Sequence, residues 1–148
     1  MMNYSLYPRF NRVLITGGAG FIGSNFILRI LNIKELALLN IDKISYASDV
    51  DFIKGLSNNN KNCNFLKVDL KNHIHIQEII KNFKPDLIVN FAAESHVDRS
   101  IKYPREFLES NTIGTFNLLE ASKSYWEKLS LVEKEKFRFL QISTDEVF

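Results

Sequence analysis

Four groups of residues in this chain have the types and spacing to do chemistry. The first is Thr16-Gly17-Gly18-Ala19-Gly20-Phe21-Ile22-Gly23, which follows an apolar run and opens an amphipathic stretch. One glycine there permits a tight strand-to-helix turn, and a second leaves no Cβ to hold a phosphate away from the backbone. A third lets helix and strand pack closely. The free N–H groups and positive end of the helix then suit the phosphates of a dinucleotide. The second group is Asp42, 19 residues after Gly23, with Lys43 beside it. A carboxylate at that distance accepts hydrogen bonds from an adenosine ribose and repels a 2′-phosphate, which favours NAD over NADP. Lys43 pulls the other way, and a plain turn-forming Asp fits the same position. The third group, Ala92-Ala93-Glu94-Ser95-His96, has small residues over which a dinucleotide could lie flat, while Glu94 could equally bond backbone amides. The fourth, Thr144-Asp145-Glu146, offers a hydroxyl and two carboxyls. Adjacent carboxyls in a partly buried site have pKa values pushed apart, giving one acid and one base. A solvated acidic turn has the same spacing.

These groups need a scaffold that brings them together, and the apolar patterning supplies one. Short apolar runs at Val13–Ile15, Leu36–Ile41, Phe65–Val68, Leu87–Phe91 and Phe137–Ser143 read as strands. Helices are expected at Ile22–Leu31, with Ile22, Phe26, Ile27 and Ile30 on one stripe, and at Ile74–Phe83, with Ile76, Ile79, Ile80 and Phe83 on another. A long helix is expected from Pro104 to about Trp126, with Leu108, Thr112, Thr115 and Leu119 on one face. The polar stretch ending at Ser57–Asn62 reads as an exposed loop, and Lys123–Lys136 as a solvated helix end. Strands alternating with helices predict an α/β fold, a doubly wound parallel sheet, which together with the glycine loop and Asp42 reads as a Rossmann-type NAD-binding domain. Ligands of such sheets bind beyond the carboxyl ends of the strands. Gly17, Asp42, Asp69, Ala92–His96 and Thr144–Glu146 all fall at those ends. Residues 1–11 read as a tail, and residues 12–148 as one domain closing after its fifth strand.

Composition narrows the class. The 148 residues are 45% hydrophobic and 24% charged, and include 12 Phe, which is enough bulk for a core and excludes intrinsic disorder. The net charge of +2 gives no reason to expect a nucleic-acid or membrane surface, and no apolar run is long enough to span a bilayer. The first ten residues lack the basic start and apolar stretch of a signal peptide, so a cytoplasmic location is expected. Cys63, the single cysteine, reads as a small buried hydrophobe. His73 and His75 have no further His or Cys to complete a metal set, and His96 reads as structural, so no metal site is expected.

With these residues in view, the chain resembles the extended short-chain dehydrogenase/reductase superfamily. Within it, the chain looks like the nucleoside-diphosphate-sugar 4,6-dehydratases, above all those acting on dTDP-glucose. The resemblance runs from about Arg12 to Val147. It is carried by TGGAGFIGSN at 16–25, DKISYA at 42–47, AAESHVDRSI at 92–101, NTIGTFNLLEAS at 111–122 and FRFLQISTDEV at 137–147. It implies NAD held by Gly17, Gly20, Phe21, Ile22 and Gly23 in the glycine loop and by Asp42, Lys43, Ile44 and Ser45 at the adenosine ribose. Asp69 and Leu70 would face the adenine, with Phe91, Ala92, Ala93, Glu94, Ser95 and Ser110 along the rest of the cofactor. Ser95 and Thr144 would touch the hexose, Asp145 would be the general acid and Glu146 the general base. The implied reaction oxidises the sugar at C4 and removes the C5 proton as the C6 hydroxyl leaves. It then returns hydride to C6, giving a 4-keto-6-deoxy sugar nucleotide. The resemblance further implies a homodimer for the full-length enzyme.

Several positions depart from the pattern. Ser45 and Ser110 stand where threonine is typical, Asn90 stands for a usual histidine, and Phe148 for a tyrosine. The superfamily's oxidation step uses a Tyr-x-x-x-Lys pair. Tyr4, Tyr7, Tyr46, Tyr103 and Tyr125 are followed four residues on by Pro8, Asn11, Val50, Phe107 and Leu129, so none forms it. The expectation is therefore a cofactor-binding portion without its C-terminal substrate domain and inactive alone. A UDP-glucose 4,6-dehydratase and a non-catalytic nucleotide-binding module are the alternatives.

Overall fold

The structure is a computed structural model that describes residues 10–143 apart from Lys34 and Ala47. Five parallel strands form one sheet in the order β3-β2-β1-β4-β5. They are β1 (Arg12–Thr16), β2 (Ala37–Asp42), β3 (Cys63–Lys67), β4 (Leu87–Asn90) and β5 (Arg138–Gln141). The chain starts in the middle, runs outward to β3, then returns past β1 to β4 and β5. That reversal at β1 defines the doubly wound topology and opens a crevice at the β1–β4 switch.

Side-chain alternation along each strand builds a core on both faces. Leu14, Leu39, Ile41 and Ile88 pack on one side with Ile76, Ile79 and Ile80 of α3 (His73–Phe83) and with Leu118 and Ala121 of α6 (Thr115–Trp126). Val13, Ile15, Leu38 and Val89 pack on the other side. They meet Ile27 of α1 (Phe21–Ile30) and Leu56 of α2 (Val50–Asn59). Each fully buried aliphatic side chain of this kind contributes about 1.5–3 kcal/mol.

The expected strands, α1 and α3 are all present, and His73 and His75 fall in the first turn of α3. Three expectations are corrected. The polar stretch before residue 60 is not all loop: Val50–Asn59 is a helix, capped by the Asp49 carboxylate, which accepts from the Phe52 amide at 2.8 Å. Ile53 and Leu56 are its buried apolar residues, with Phe52 partly buried against the same core, and the polar residues around them mask the periodic signal. Ile22 leaves the core stripe of α1, being 61% exposed at the mouth of a cavity described below.

The long helix is not a uniform α-helix. It comprises α5 (Pro104–Phe107), a π-helical segment (Leu108–Gly114) and α6. The wider π turns rotate the register, so Leu108 and Leu119 are exposed while Gly114, Asn117, Leu118, Ala121 and Ser122 face inward. Two short helices complete the fold, α4 (Val97–Lys102) and α7 (Leu131–Lys136), the latter held by a capping box between Ser130 and Glu133. The charged stretch from Lys123 is thus divided between two helices. No helix of the described residues is long and apolar enough to cross a membrane.

Cys63, only 3% exposed at the start of β3, is packed with Leu36, Leu38 and Leu56, and burial pushes its thiol pKa upward. A thiol with that environment has little thiolate at neutral pH. Native protein is therefore expected to resist a thiol-specific chromogenic reagent at pH 8, and unfolded protein to react with one equivalent. Rapid titration of the native chain would show that β3 does not seat Cys63 in the core.

Candidate functional site

The carboxyl ends of the strands surround a cavity of about 520 Å³, and its shape begins with the loop after β1. Gly17 has φ 71°, a left-handed conformation that side chains disfavour, and a Cβ there would lie 2.5 Å from the Ala92 amide nitrogen. Gly23 sits inside α1, where a Cβ would meet the Gly17 carbonyl oxygen at 2.5 Å. The two glycines thus let the chain fold back over β4 and let α1 start directly against its own loop. Gly20 is the N-cap of α1; it has no side chain to offer, and the first helical turn carries no acidic residue. The helix end, with its unsatisfied amides and partial positive charge, opens towards the cavity through Gly20, Phe21, Ile22 and Gly23. Phe21 is 85% exposed there, a large apolar ring that the core does not use.

Asp42 closes β2 and organises the turn beside this loop. Its Oδ2 accepts from the Ala19 amide at 3.0 Å, and its Oδ1 from the Ile44 amide at 2.8 Å and the Ser48 hydroxyl at 3.4 Å. The carboxylate therefore joins the glycine loop to the β2 loop. Its Oδ2, with two lone pairs and one donor among the described residues, keeps acceptor capacity at the cavity wall. Ile44, held at φ 57° with its amide committed to Asp42, does not line the cavity.

Lys43 reaches across the site. Its Nζ lies 2.5 Å from Oε1 of buried Glu94, in the loop after β4, and donates to the Ser110 hydroxyl at 2.7 Å. The Glu94 carboxylate is thus paired with a cation rather than with backbone amides. Its main chain is clasped by Asn111, whose Oδ1 accepts from the Glu94 amide at 2.7 Å and whose Nδ2 donates to the Glu94 carbonyl at 2.8 Å. The π-helical segment delivers both Ser110 and Asn111. One turn on, Gly114 packs so close to Leu70 that a Cβ would be 3.1 Å from the leucine's own. Asn117 then donates to the carbonyls of Leu70 and Lys71 at 3.0 and 3.1 Å. Asn111, Gly114 and Asn117 are the residues that sequence reasoning missed; their small or amide character at helical spacing was the available signal.

Asn90 acquires a clear role. Its Oδ1 accepts from the Thr16 hydroxyl and, at 3.1 Å, from the Ala92 amide, while its Nδ2 donates to Gln141 at 2.8 Å. The fully buried amide thereby ties the ends of β1, β4 and β5 together. On the outer rim, Lys71 bridges Asp69 (3.7 Å) and Glu109 (3.0 Å), and Glu109 also pairs with Arg105 at 2.8 Å. The Arg105 guanidinium, followed by the Lys71 ammonium, holds the Glu109 carboxyl below its ordinary range, and Lys71 is raised in turn. Exposed pairs of this kind contribute little stability, but they fix the π-helical segment over the loop after β3.

The cavity wall includes Gly17, Gly20, Phe21, Ile22, Gly23, Asp42, Lys43, Ser45, Asp69, Leu70, Phe91, Ala92, Ala93, Glu94, Ser95 and Ser110. All the residues singled out from the sequence as a cofactor site, Ile44 aside, are thus brought to one place. Ile41, Ser48, Val68, His96, Ile142 and Ser143 join them. Thr144, Asp145 and Glu146 lie outside the described residues, immediately after Ser143 in the chain. No cluster of metal-ligating side chains occurs among the described residues.

Comparisons with known proteins agree on the relatives of this chain. The family model described as GDP-mannose 4,6 dehydratase matches residues 14–148. A dTDP-glucose 4,6-dehydratase of Neisseria meningitidis is 41% identical over 137 residues, which are 93% of this chain and 38% of the relative. Among solved structures, the Bacillus anthracis dTDP-glucose 4,6-dehydratase in complex with NAD superposes with a TM-score of 0.73 and 34% identity. It is matched over 92% of this chain and 38% of that one. The DesIV dTDP-glucose 4,6-dehydratase of Streptomyces venezuelae, with NAD and TYD bound, gives a TM-score of 0.70 and 33% identity over 77% of this chain and 36% of that one. The chain thus spans under two fifths of the length of these relatives.

Proposed function

This chain belongs to the GDP-mannose 4,6 dehydratase family, and from that premise we propose that residues 12–148 are the NAD-holding portion of a dTDP-glucose 4,6-dehydratase. The observation that carries the reading is the cradle itself. Glycines 17, 20 and 23 bring bare backbone and an uncapped helix end to the same cavity as the Asp42 carboxylate. A dinucleotide has the matching parts, a diphosphate for the helix end and a ribose for the acid. The relatives crystallised with NAD support the same ligand.

In this reading Gly17, Gly20, Phe21, Ile22 and Gly23 hold the diphosphate, while Asp42 and Ser45 set the adenosine ribose. Ile44 steadies the Asp42 carboxylate through its amide, and Lys43 reaches away to Glu94. Asp69 and Leu70 face the adenine. Phe91, Ala92, Ala93, Glu94, Ser95 and Ser110 flank the remainder. When bound, NAD supplies the hydride acceptor for sugar C4 and the hydride that returns to C6. Thr144 and Ser95 position the hexose hydroxyls, Glu146 removes the C5 proton, and Asp145 protonates the departing C6 hydroxyl. Two unlike carboxyl roles are what this elimination requires. The full-length enzyme would be a cytoplasmic homodimer that takes dTDP-glucose and works on neither nucleic acid nor membranes.

The purified 148-residue chain is expected to bind one NAD in a calorimetric titration. It should form no 4-keto product from dTDP-glucose, because none of its tyrosines carries a lysine four residues on. A folded chain that produces no binding heat with NAD would overturn the cofactor assignment. Keto product from the chain alone would overturn its inactivity.

A further inference from the structure

The loops after β2 and β4, which both line the cavity, are joined to each other. Since β1 lies between these strands in the sheet, any contact between their loops crosses the glycine loop that follows β1. Two such contacts occur among the described residues. The inner one is the Lys43–Glu94 ion pair at 2.5 Å. The outer one is aromatic: the Arg99 guanidinium, on α4, stands 4.3 Å from the centre of the Tyr46 ring, and the His96 ring lies 5.4 Å from it. Arg99 is itself held from behind, 3.1 Å from the Glu106 carboxylate and 5.6 Å from the Tyr103 ring. Its Nε is sealed from solvent without a hydrogen-bond partner among the described residues, so the aromatic faces are its surroundings on that side. Tyr46 is 54% exposed and contributes nothing to the core. Lys43, Ser45 and Ser48 from one loop, and Glu94, Ser95 and His96 from the other, line the cavity.

We propose that Tyr46 and Arg99 form a clasp between two walls of the cofactor site, so that a bound dinucleotide leaves only when the loop after β2 parts from α4. The inference rests on the NAD reading above. It suits a reaction in which hydride goes out and returns within one turnover, because the cofactor then has no need to exchange. A guanidinium on a tyrosine face is a suitable closure, since it holds through stacking and is less sensitive to salt than an exposed ion pair.

The test is the rate at which NAD leaves the loaded chain when chased with excess unlabelled NAD. Arg99→Ala and Tyr46→Leu are each expected to speed release by about two- to fivefold, the change that losing about 0.5–1 kcal/mol of stacking at a partly exposed site produces. Tyr46→Phe keeps the ring and is expected to release at the wild-type rate. Both residues lie outside the core, and an unchanged melting temperature will show that the fold is intact. Should Arg99→Ala unfold, the Tyr46→Leu and Tyr46→Phe pair carries the comparison alone. Equal release rates for wild type, Tyr46→Leu and Arg99→Ala would overturn the clasp while leaving NAD binding standing. Failure of the wild-type chain to take up NAD would overturn both.

Discussion

Gly17→Ala is expected to lower stability by about 2–6 kcal/mol and to weaken NAD binding by at least about a hundredfold. Two costs combine. The left-handed φ of 71° is unfavourable for any residue with a Cβ, and strain of this type costs about 1–3 kcal/mol. The added methyl also lies 2.5–2.7 Å from main-chain atoms of Phe91 and Ala92, which cannot rotate away as a side chain could. Relieving that overlap at a further cost of about 1–3 kcal/mol pushes the loop after β4 off the loop after β1. Those loops form the cavity, so affinity falls with stability. Gly55→Ala is the internal control. Gly55 lies within α2 with nothing inside 4 Å of a built Cβ, and alanine there is expected to add about 0.5–1 kcal/mol through helix propensity. Chemical denaturation of the three proteins and NAD titration of each will show whether the cost is specific to the cradle. A Gly17→Ala chain with wild-type stability and affinity would mean that the loop does not have this conformation.

Asp42→Ala is the second large effect, and it separates structure from selectivity. Removing the carboxylate strands the buried Ala19 amide and releases the Ile44 amide and Ser48 hydroxyl. An unpaired buried donor costs about 1–3 kcal/mol, so a loss of about 2 kcal/mol is expected in denaturant unfolding. The proposed ribose contact disappears as well, and NAD affinity is expected to drop by about a hundredfold. NADP affinity should hold or rise, because the charge opposing its 2′-phosphate is gone. Lys43 does not take over as a phosphate ligand, since its ammonium is committed to Glu94 and Ser110. Calorimetry with both nucleotides measures the ratio. If the preference for NAD survives in Asp42→Ala, the discrimination resides elsewhere.

Much of this was legible in the amino-acid order. The continuous apolar run of β1 declares itself because both of its faces meet the core, and the residues that repeat at three and four in α3 because a single face must. The glycines and Asp42 are readable because few residue types satisfy a positive φ, a close backbone approach or a ribose contact. Other features depend on what another segment does. α2 hides in a polar stretch because Phe52, Ile53 and Leu56 are the few apolar residues it packs inward. The face of the long helix is misread because seven π-helical residues shift the register, and that segment carries Ser110, Asn111 and Gly114 against neighbouring loops. Asn90 looked like an unexplained substitution until Thr16 and Gln141, 74 and 51 residues away, were seen to bond it. Lys43 illustrates the same limit, because its neighbour Asp42 suggested a place at the ribose, while Glu94 draws its charge across the site.

The central claim is that NAD occupies the cavity at the carboxyl ends of the strands. Amide hydrogen exchange of the chain with and without saturating NAD tests it most directly. Slowed exchange is expected in residues 17–23, 42–46 and 91–96, with little change at the opposite end of the sheet around residues 83–87. Unchanged exchange in 17–23 at saturation, or protection confined to the opposite end, would contradict the account.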